Sequence, residues 1–258
     1  MGKQIRKSYR QWGRRLKILL TGSKGFLGSH LVKKLTAHQV YCIDRSDGQD
    51  LLTCDLNYDV DLVIHLAGES GIAKSLDHPE LYWENNVIAT KRLFDHFKGT
   101  RIMYASSSTA KEPNRNPYAM TKYTLERLAP QTSTGLRFCT IYSNSQQRPN
   151  MFVPRLLRKE IEYIHTNHKR DFIHIDDVCN AITFLMNRDA PGVYDIGTGI
   201  STPLKQITDF FDIECEERIG GENERLCNKA DISKLTDLGW TPQINLFEYL
   251  KSQKDLTL

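Results

Sequence analysis

The sequence predicts an α/β fold: a doubly wound parallel sheet with a smaller C-terminal lobe laid over one of its edges. Three observations carry that expectation. Short apolar strand patterns alternate with amphipathic helical stretches through the first half of the chain, the signature of βαβ units covered on both faces. A glycine-rich turn joins the first strand to the first helix. Beyond about Tyr142 the texture changes to a polar loop of Asn144, Gln146, Gln147, Pro149 and Asn150, after which the elements are shorter.

Taken in order, residues 17–20 read as an apolar strand and 26–35 as a helix with Leu27, Leu31, Lys34 and Leu35 along one side. Residues 40–43 and 62–66 form the second and third strands. The link between them holds Asp50, Asp55, Asn57 and Asp59, so a full crossover helix is not expected there. A long helix follows over 80–97, then a strand over 101–105. The next helix, 117–129, opens with Asn116 as N-cap and Pro117 at its first position. Residues 136–142 read as a further strand, Thr202-Pro203 opens one later helix and Asp231 another. The expected division is a flexible basic arm at 1–16, a core at 17–145, and a lobe at 146–258 whose segments around 170–198 return to the core.

A chain of 258 residues is long enough for a well-buried core. With 40% hydrophobic and 26% charged residues, collagen-like, coiled-coil and largely disordered readings drop out. The apolar run from Leu62 to Ala67 is broken by His65, so no membrane span is expected. The basic N-terminus lacks a following apolar segment, so no secretory signal is expected either. The six cysteines, at 42, 54, 139, 179, 215 and 227, show no CxxC and no His/Cys metal spacing. They read as the reduced thiols of a cytoplasmic protein without a metal site. Net charge is +4, yet the first 17 residues hold Lys3, Arg6, Lys7, Arg10, Arg14, Arg15 and Lys17 without an acid. The rest of the chain is therefore acidic, which argues against a nucleic-acid-binding core; the arm reads as a solvated tail.

Four groups of residues carry chemistry. Thr21-Gly22-Ser23-Lys24-Gly25-Phe26-Leu27-Gly28 follows the first strand and opens the first helix. Its glycines permit close backbone approach, and the unpaired helix N–H groups attract a pyrophosphate. Asp44 ends the second strand about 20 residues on, where a carboxylate accepts from a ribose hydroxyl and repels a 2′-phosphate; Arg45 beside it blurs that preference for NAD over NADP. Tyr118 and Lys122 are four apart at the start of a helix and share a face. The nearby ammonium favours the phenolate, and a downward shift of roughly three units corresponds to about 4 kcal/mol, within reach of a lysine and a positive nicotinamide ring together. Ser106, Ser107, Ser108 and Thr109 follow the fourth strand, at the sheet edge where a nicotinamide would lie. A hydroxyl there can hold a substrate oxygen near Tyr118.

With these pieces in place the chain resembles the extended short-chain dehydrogenase/reductase family, in its sugar-nucleotide epimerase/dehydratase branch. The likeness spans about residues 17–250 and runs through TGSKGFLG (21–28), CDL (54–56), HLAG (65–68), ENNVIAT (84–90), YASSST (104–109), NPYAMTK (116–122) and LRFCTIYS (136–143). RPNMF (148–152), RDFIHIDDV (170–178), YDIGTG (194–199) and ADISKLTDLGW (230–240) continue it. It implies a Rossmann-type NAD-binding core, a substrate-binding lobe, and NAD as cofactor. It further implies Tyr118 as catalytic base, Lys122 as its electrostatic partner and ribose anchor, and Ser107 as the hydroxyl on the sugar oxygen, with Ser108 the fallback. Gly22, Gly25, Phe26, Leu27 and Gly28 would line the pyrophosphate, Asp44 and Arg45 the ribose, and Asp55 with Leu56 the adenine. Leu66, Ala67, Gly68 and Asn86 would pass along the cofactor. Thr140, Arg148, Arg170 and Arg225 would meet the substrate, the arginines at its diphosphate.

Within that branch, 4,6-dehydratases place Asp-Glu after the catalytic hydroxyl, uronate decarboxylases place Glu there, and fucose-synthase-type enzymes add a Cys and a His. Here Ser108, Thr109 and Ala110 follow, which leaves 4-epimerisation of a nucleotide sugar, with a UDP-sugar as substrate. A nucleotide-sugar reductase or dehydratase, and a non-catalytic NAD-binding scaffold, are the alternatives. Two departures stand out. Ala110-Lys111-Glu112 replaces the family's Val-Tyr-Gly, and Gly71-Ile72-Ala73-Lys74 lacks the arginine that uronate epimerases carry. The chain is also short for the branch, through the trimmed second-to-third strand link and a reduced lobe. The resemblance implies a homodimer through the helices at 80–97 and 117–129, with Leu81, Trp83, Val87, Ile88, Tyr123 and Leu128 supplying apolar surface.

Overall fold

The computed structural model describes residues 14–144 and 147–255; most of the basic arm expected at 1–16 lies outside the described residues. β1 (Lys17–Thr21) leads into α1 (Phe26–Lys34) and β2 (Gln39–Ile43), and a long link reaches β3 (Leu62–His65). Then come α2 (Ile72–Asp77), α3 (Pro79–Tyr82), a π-helical segment (Trp83–Ile88), α4 (Ala89–His96), β4 (Arg101–Ser107), α5 (Pro117–Leu128) and β5 (Thr134–Phe138). The remainder comprises β6 (Thr140–Tyr142), α6 (Phe152–Leu157), β7 (Tyr163–His165), β8 (Lys169–Arg170), β9 (Phe172–His174), α7 (Ile175–Met186) and β10 (Gly192–Ile196). It ends in β11 (Thr202–Pro203), α8 (Leu204–Phe210), β12 (Glu216–Arg218), α9 (Ser233–Asp237) and α10 (Leu246–Asp255).

Six strands form one parallel sheet in the order β10-β5-β4-β3-β1-β2. Alternation along each strand feeds two cores. Ile18, Leu20, Ile64 and Met103 face α1 and α7, where they meet Leu31, Val178, Ile182 and Leu185. Leu19, Val63, Ile102 and Tyr104 point the other way, towards Leu93 and Phe94 of α4 and Leu125 of α5. Both faces are thus covered, which is the doubly wound arrangement the strand–helix alternation predicts.

The link from β2 to β3 contains a single 3-10 turn, Arg45–Asp47. Its acids explain why no crossover helix forms. Asp44 accepts from the amide of Ser46 at 3.0 Å, Asp50 from Leu52 at 2.9 Å and Asp55 from Asn57 at 2.9 Å. Each carboxylate captures the amide two residues on and so favours turns over helix. Leu51 and Leu56 fill the face a helix would cover. Among the described residues β2 is consequently the edge of the sheet.

Three other elements differ from the sequence expectation. The helix expected at 80–97 is interrupted by the π-helical segment, where Asn85 donates its side-chain amide to the carbonyl of Leu81 at 2.8 Å. The strand expected at 136–142 breaks at Cys139, whose amide bonds to Ile196 O at 3.0 Å. β5 stays in the main sheet while β6 pairs with β9. Thr202-Pro203 pairs with β8, so the helix it was expected to open begins only at Leu204.

The C-terminal part has its own apolar cluster, including Tyr142, Leu156, Phe172, Ile207, Phe211 and Leu250. Within the same stretch α7 and β10 belong with the main sheet. The two regions are joined at Asp171, which is fully buried and accepts from the amides of Thr198, Gly199 and Ala230 at 2.8, 2.9 and 3.0 Å. All six cysteines are free, and no described helix is long and apolar enough to cross a membrane.

Candidate active site

The strand order reverses between β1 and β3, and open α/β sheets bind ligands beyond the carboxyl ends of strands at such a point. A cleft of about 390 Å³ lies there, walled by the glycine turn, the tips of β2, β3 and β4, and the N-terminal turns of α5.

Gly22 leaves β1 with φ +71°, and a Cβ on it would stand 2.7 Å from the amide nitrogen of Ala67 at the tip of β3. A Cβ on Gly28 would meet Gly22 O at 2.0 Å. Only glycine lets α1 press this close against the turn. Gly25 caps α1 with no side chain hydrogen bond, so the first helical amides are left to face a ligand. Gly22, Gly25, Phe26, Leu27 and Gly28 all line the cleft, together with Leu66, Ala67 and Gly68 opposite.

At the outer end, Asp44 accepts from the amides of Lys24 (2.9 Å) and Ser46 (3.0 Å) and from the Ser46 hydroxyl (2.9 Å). Burial opposes its charge, but these donors and the Lys24 ammonium hold the carboxyl below the usual range. Arg45 turns across the mouth, donating to Asn85 Oδ1 at 2.6 Å with Glu69 at 3.4 Å and Asp50 at 3.9 Å. Its charge is thereby balanced by two carboxylates.

Ser107, Tyr118 and Lys122 line the inner end. Ser107 closes β4, and its Oγ accepts from the amide and hydroxyl of Thr109 at 3.2 and 2.9 Å. The neighbouring serines are placed differently: Ser106 donates to Glu126 at 2.6 Å, and Ser108 does not line the cleft, its backbone carbonyl accepting from Arg225 at 2.7 Å. Tyr118 sits in the first turn of α5, which Asn116 caps by accepting from the Ala119 amide at 2.8 Å. Its ring packs edge-on against Tyr82 at 6.0 Å, and the Tyr82 hydroxyl donates to Ser70 O and Gly71 O at 2.7 and 2.9 Å. Lys122 is buried, 5.9 Å from the centre of the Tyr118 ring.

Burial raises the Tyr118 phenol above its ordinary value, while the Ser107 side chain and the charge of Arg148 pull it down. This is opposite in sign to the shift expected from the Tyr–Lys spacing, because desolvation of the phenolate outweighs the protein's own cations. Burial also pulls the Lys122 ammonium down to about 8.

Several predicted residues are not brought to the cleft. Asp55 forms a turn with Asn57 and Leu56 is core; an equivalent Asp-Leu pair five residues earlier, Asp50-Leu51, lines the cleft instead. Asn86 stands behind the wall, accepting from the Glu69 amide at 2.7 Å and donating to Thr121 at 3.1 Å. Arg170 donates to Glu224, His168 Nδ1 and the carbonyl of Arg225 at 2.8, 2.9 and 2.8 Å. It thus brings a positive charge against His168 and Glu224, two members of the His165–His168–Glu224 cluster. Arg225 is held on Glu112. Thr140 and Arg148 do line the cleft, and Arg148 donates to Ser70 Oγ at 2.8 Å. Sequence reasoning missed Asn85 and Cys139 on the wall. Asn85 adjoins a predicted residue, whereas Cys139 reaches the cleft only because the strand breaks there.

The segment that builds the parallel sheet, the glycine turn and the Ser/Tyr/Lys set matches a known family. The model of the "NAD dependent epimerase/dehydratase family" matches residues 18–197, and the chain belongs to that family, with NAD as cofactor. A "Putative UDP-glucose 4-epimerase" of Methanocaldococcus jannaschii is 27% identical over 297 aligned positions, covering 91% of this chain and 96% of that protein. That span exceeds the 258 residues of the chain, so the chain is the shorter of the two through internal gaps. "Protein CapI" of Staphylococcus aureus is 29% identical, covering 68% of this chain and 70% of its own. Among solved structures, "MoeE5 in complex with UDP-glucose and NAD" superposes with a TM-score of 0.81 at 27% identity, covering 93% of this chain and 98% of the other. The glycine cradle, free helix amides and ionised Asp44 fit the dinucleotide.

Proposed function

We propose that this chain is an NAD-dependent nucleotide-sugar 4-epimerase acting on a UDP-sugar. The observation that carries the reading is the convergence of Ser107, Tyr118 and Lys122 on the cleft that begins at the glycine turn. The UDP-sugars named for similar proteins support the substrate class.

When bound, the dinucleotide would supply hydride-transfer chemistry at its positive ring. The chain supplies the rest. Ser107 Oγ holds the sugar oxygen, and Tyr118 Oη takes the proton of the C4 hydroxyl. Lys122 keeps a positive charge beside the phenolate and binds the ribose. The 4-keto sugar turns over, Tyr118 returns the proton, and the C4 configuration is inverted with no net redox change. Arg148 has no carboxylate within ion-pair distance among the described residues, and it serves the substrate diphosphate.

Epimerisation is favoured over elimination by the state of the nearest acid after Ser107. Glu112 is partly buried, yet Arg225 and Arg115 hold it ionised, and it does not line the cleft. It is therefore not a proton donor for loss of water.

Asp50 and Leu51 take the adenine end, and residues 146–258 outside α7 and β10 form the substrate lobe. The protein acts as a homodimer in the cytoplasm. Leu76, Trp83, Ile88, Met120 and Leu128, all exposed on or beside the helical face, support the first; six unpaired thiols support a reducing compartment.

The test is incubation of the NAD-loaded protein with UDP-glucose and UDP-glucuronate. An epimer formed without net NADH change is expected, and Tyr118→Phe should abolish it while leaving NAD bound. Consumption of reduced cofactor would point to a reductase instead, and unchanged turnover in Tyr118→Phe would refute the reading.

A further inference from the structure

Resting on that reading for the identity of the reacting residues, we propose that Arg225 and Glu112 form a clamp that sets Ser107 against Tyr118, with Arg225 a positioning residue rather than a ligand of the substrate diphosphate.

The guanidinium of Arg225 spans the turn that follows Ser107. Its Nη1 donates to Ser108 O at 2.7 Å and its Nε to Glu112 Oε1 at 2.7 Å. These two acceptors bracket the single 3-10 turn Ser108–Lys111, for which Ser107 is the cap. Fixing both ends fixes the pitch of the turn, and with it the direction of the Ser107 hydroxyl, which is held by Thr109 inside that turn. The Arg225 side chain is only 13% exposed and does not line the cleft. Arg115 supplies Glu112 with a second cation.

The same loop also reaches the helix that carries Tyr118. Asn223 O accepts from Asn116 Nδ2 at 2.8 Å, and Asn116 is the cap of α5 two residues before Tyr118. Glu222 O accepts from Arg115 Nη1 at 2.7 Å. Residues 222–225 therefore touch the supports of both reacting hydroxyls. Their far side is tied to β8, where Arg170 donates to Arg225 O and to Glu224, each at 2.8 Å.

This arrangement also accounts for Ala110-Lys111-Glu112, the least expected stretch of the sequence. Lys111 pairs with Asp195 at the end of β10 and Glu112 with Arg225, so both charges serve to fasten the serine turn to the C-terminal half of the chain. Charge-assisted bonds of this kind are directional as well as strong, and catalytic rates are sensitive to placement at the ångström level.

The two roles for Arg225 predict different patterns of UDP affinity, because a diphosphate ligand and Glu112 would compete for the same donors. Under the clamp, Glu112→Ala and Arg225→Ala each lower kcat by about tenfold to a hundredfold while the affinity for UDP, measured by calorimetry on the NAD-loaded protein, stays unchanged. Glu112→Gln, which keeps an acceptor oxygen, restores most of the rate. Amide hydrogen exchange over residues 104–118 speeds up in both alanine variants, a readout that needs no turnover. If UDP instead binds more weakly to Arg225→Ala and more tightly to Glu112→Ala, the arginine is a diphosphate ligand and the clamp is wrong. Unchanged exchange over 104–118 would equally overturn it. A wild-type protein that turns over no UDP-sugar defeats the proposed activity alone, since the exchange measurement still decides the clamp.

Discussion

Lys122 Nζ donates to the carbonyl oxygen of Ala105 at 3.1 Å, and this bond, with that of Ser106 to Glu126, ties the helix carrying Tyr118 to the strand that ends in Ser107. The same burial that makes the bond possible brings the ammonium to about 8 from an unperturbed 10.5. Activity and stability should then respond to pH in opposite directions. Below about 8 the buried charge is fully present, and it costs stability because the unfolded chain solvates it better. Between about 8 and 10.5 the folded protein has lost this proton and the unfolded chain has not, so the contribution to stability rises with pH. Across the same window kcat/KM should fall as the phenolate loses its cation. Lys122→Met should lose most activity without lowering the unfolding midpoint. A parallel decline of rate and stability above pH 8 would show that the rate loss is mere unfolding.

The two Asp-Leu pairs of the β2–β3 link make a direct comparison. Asp50-Leu51 lines the cleft, whereas Asp55 closes a turn and Leu56 is core. Asp50→Asn should weaken NAD binding by about tenfold, the scale of one hydrogen bond to a charged group. Asp55→Asn should leave it unchanged. Fluorescence titration with the dinucleotide separates the two, and equal losses would argue against the assignment of Asp50.

His65 is buried between Thr21 Oγ1 at 2.7 Å and Thr90 Oγ1 at 2.8 Å. Desolvation, with the charge of Lys122, pushes its imidazole down to about 3. The unfolded chain binds this proton near the ordinary 6.5. The neutral ring's contribution to stability is therefore complete above that value and lost progressively as pH falls from there towards 3. Urea midpoints measured across that window should drop more steeply for the wild type than for His65→Gln. Parallel curves would show that another group governs acid unfolding.

Trp83 and Ile88 are 44% and 49% exposed, on the helical face proposed for self-association, while Val87 between them is buried within the chain. Ile88→Glu, or Trp83→Glu, should convert the dimer to a monomer in sedimentation, because each puts a charge at the centre of an apolar contact. Val87→Glu would instead unfold the chain. A wild type that sediments as a monomer would remove the dimer from consideration.

What could be read from the sequence was whatever a short local pattern fixes. The glycine turn, Asp44 at the tip of a strand, Asn116 ahead of Pro117, and the four-residue interval from Tyr118 to Lys122 each follow from spacing within one element or across one turn. Ser107 follows from the resemblance in YASSST, and only distant contacts separate it from its neighbours: Ser106 is bonded to Glu126, and Ser108 lies outside the cleft lining. The rest depended on partners far away in the chain. The resemblance puts Arg170 and Arg225 at the substrate diphosphate, whereas Glu224 and Glu112, 54 and 113 residues distant, hold them. Nothing local distinguishes Asp50 from Asp55, because a link without helical or strand periodicity gives no clue to which side chain turns inward.

Because the main sheet stops at β2, the outer rim of the cofactor cleft is a chain of side-chain-stabilised turns rather than a rung in a hydrogen-bonded ladder. Tolerance to change is consequently uneven along the groove. Insertions and deletions can accumulate at the rim, where only local turns need to re-form. At the opposite end, a displaced residue disturbs the register that β4 and α5 share, and sequence drift there has far less room.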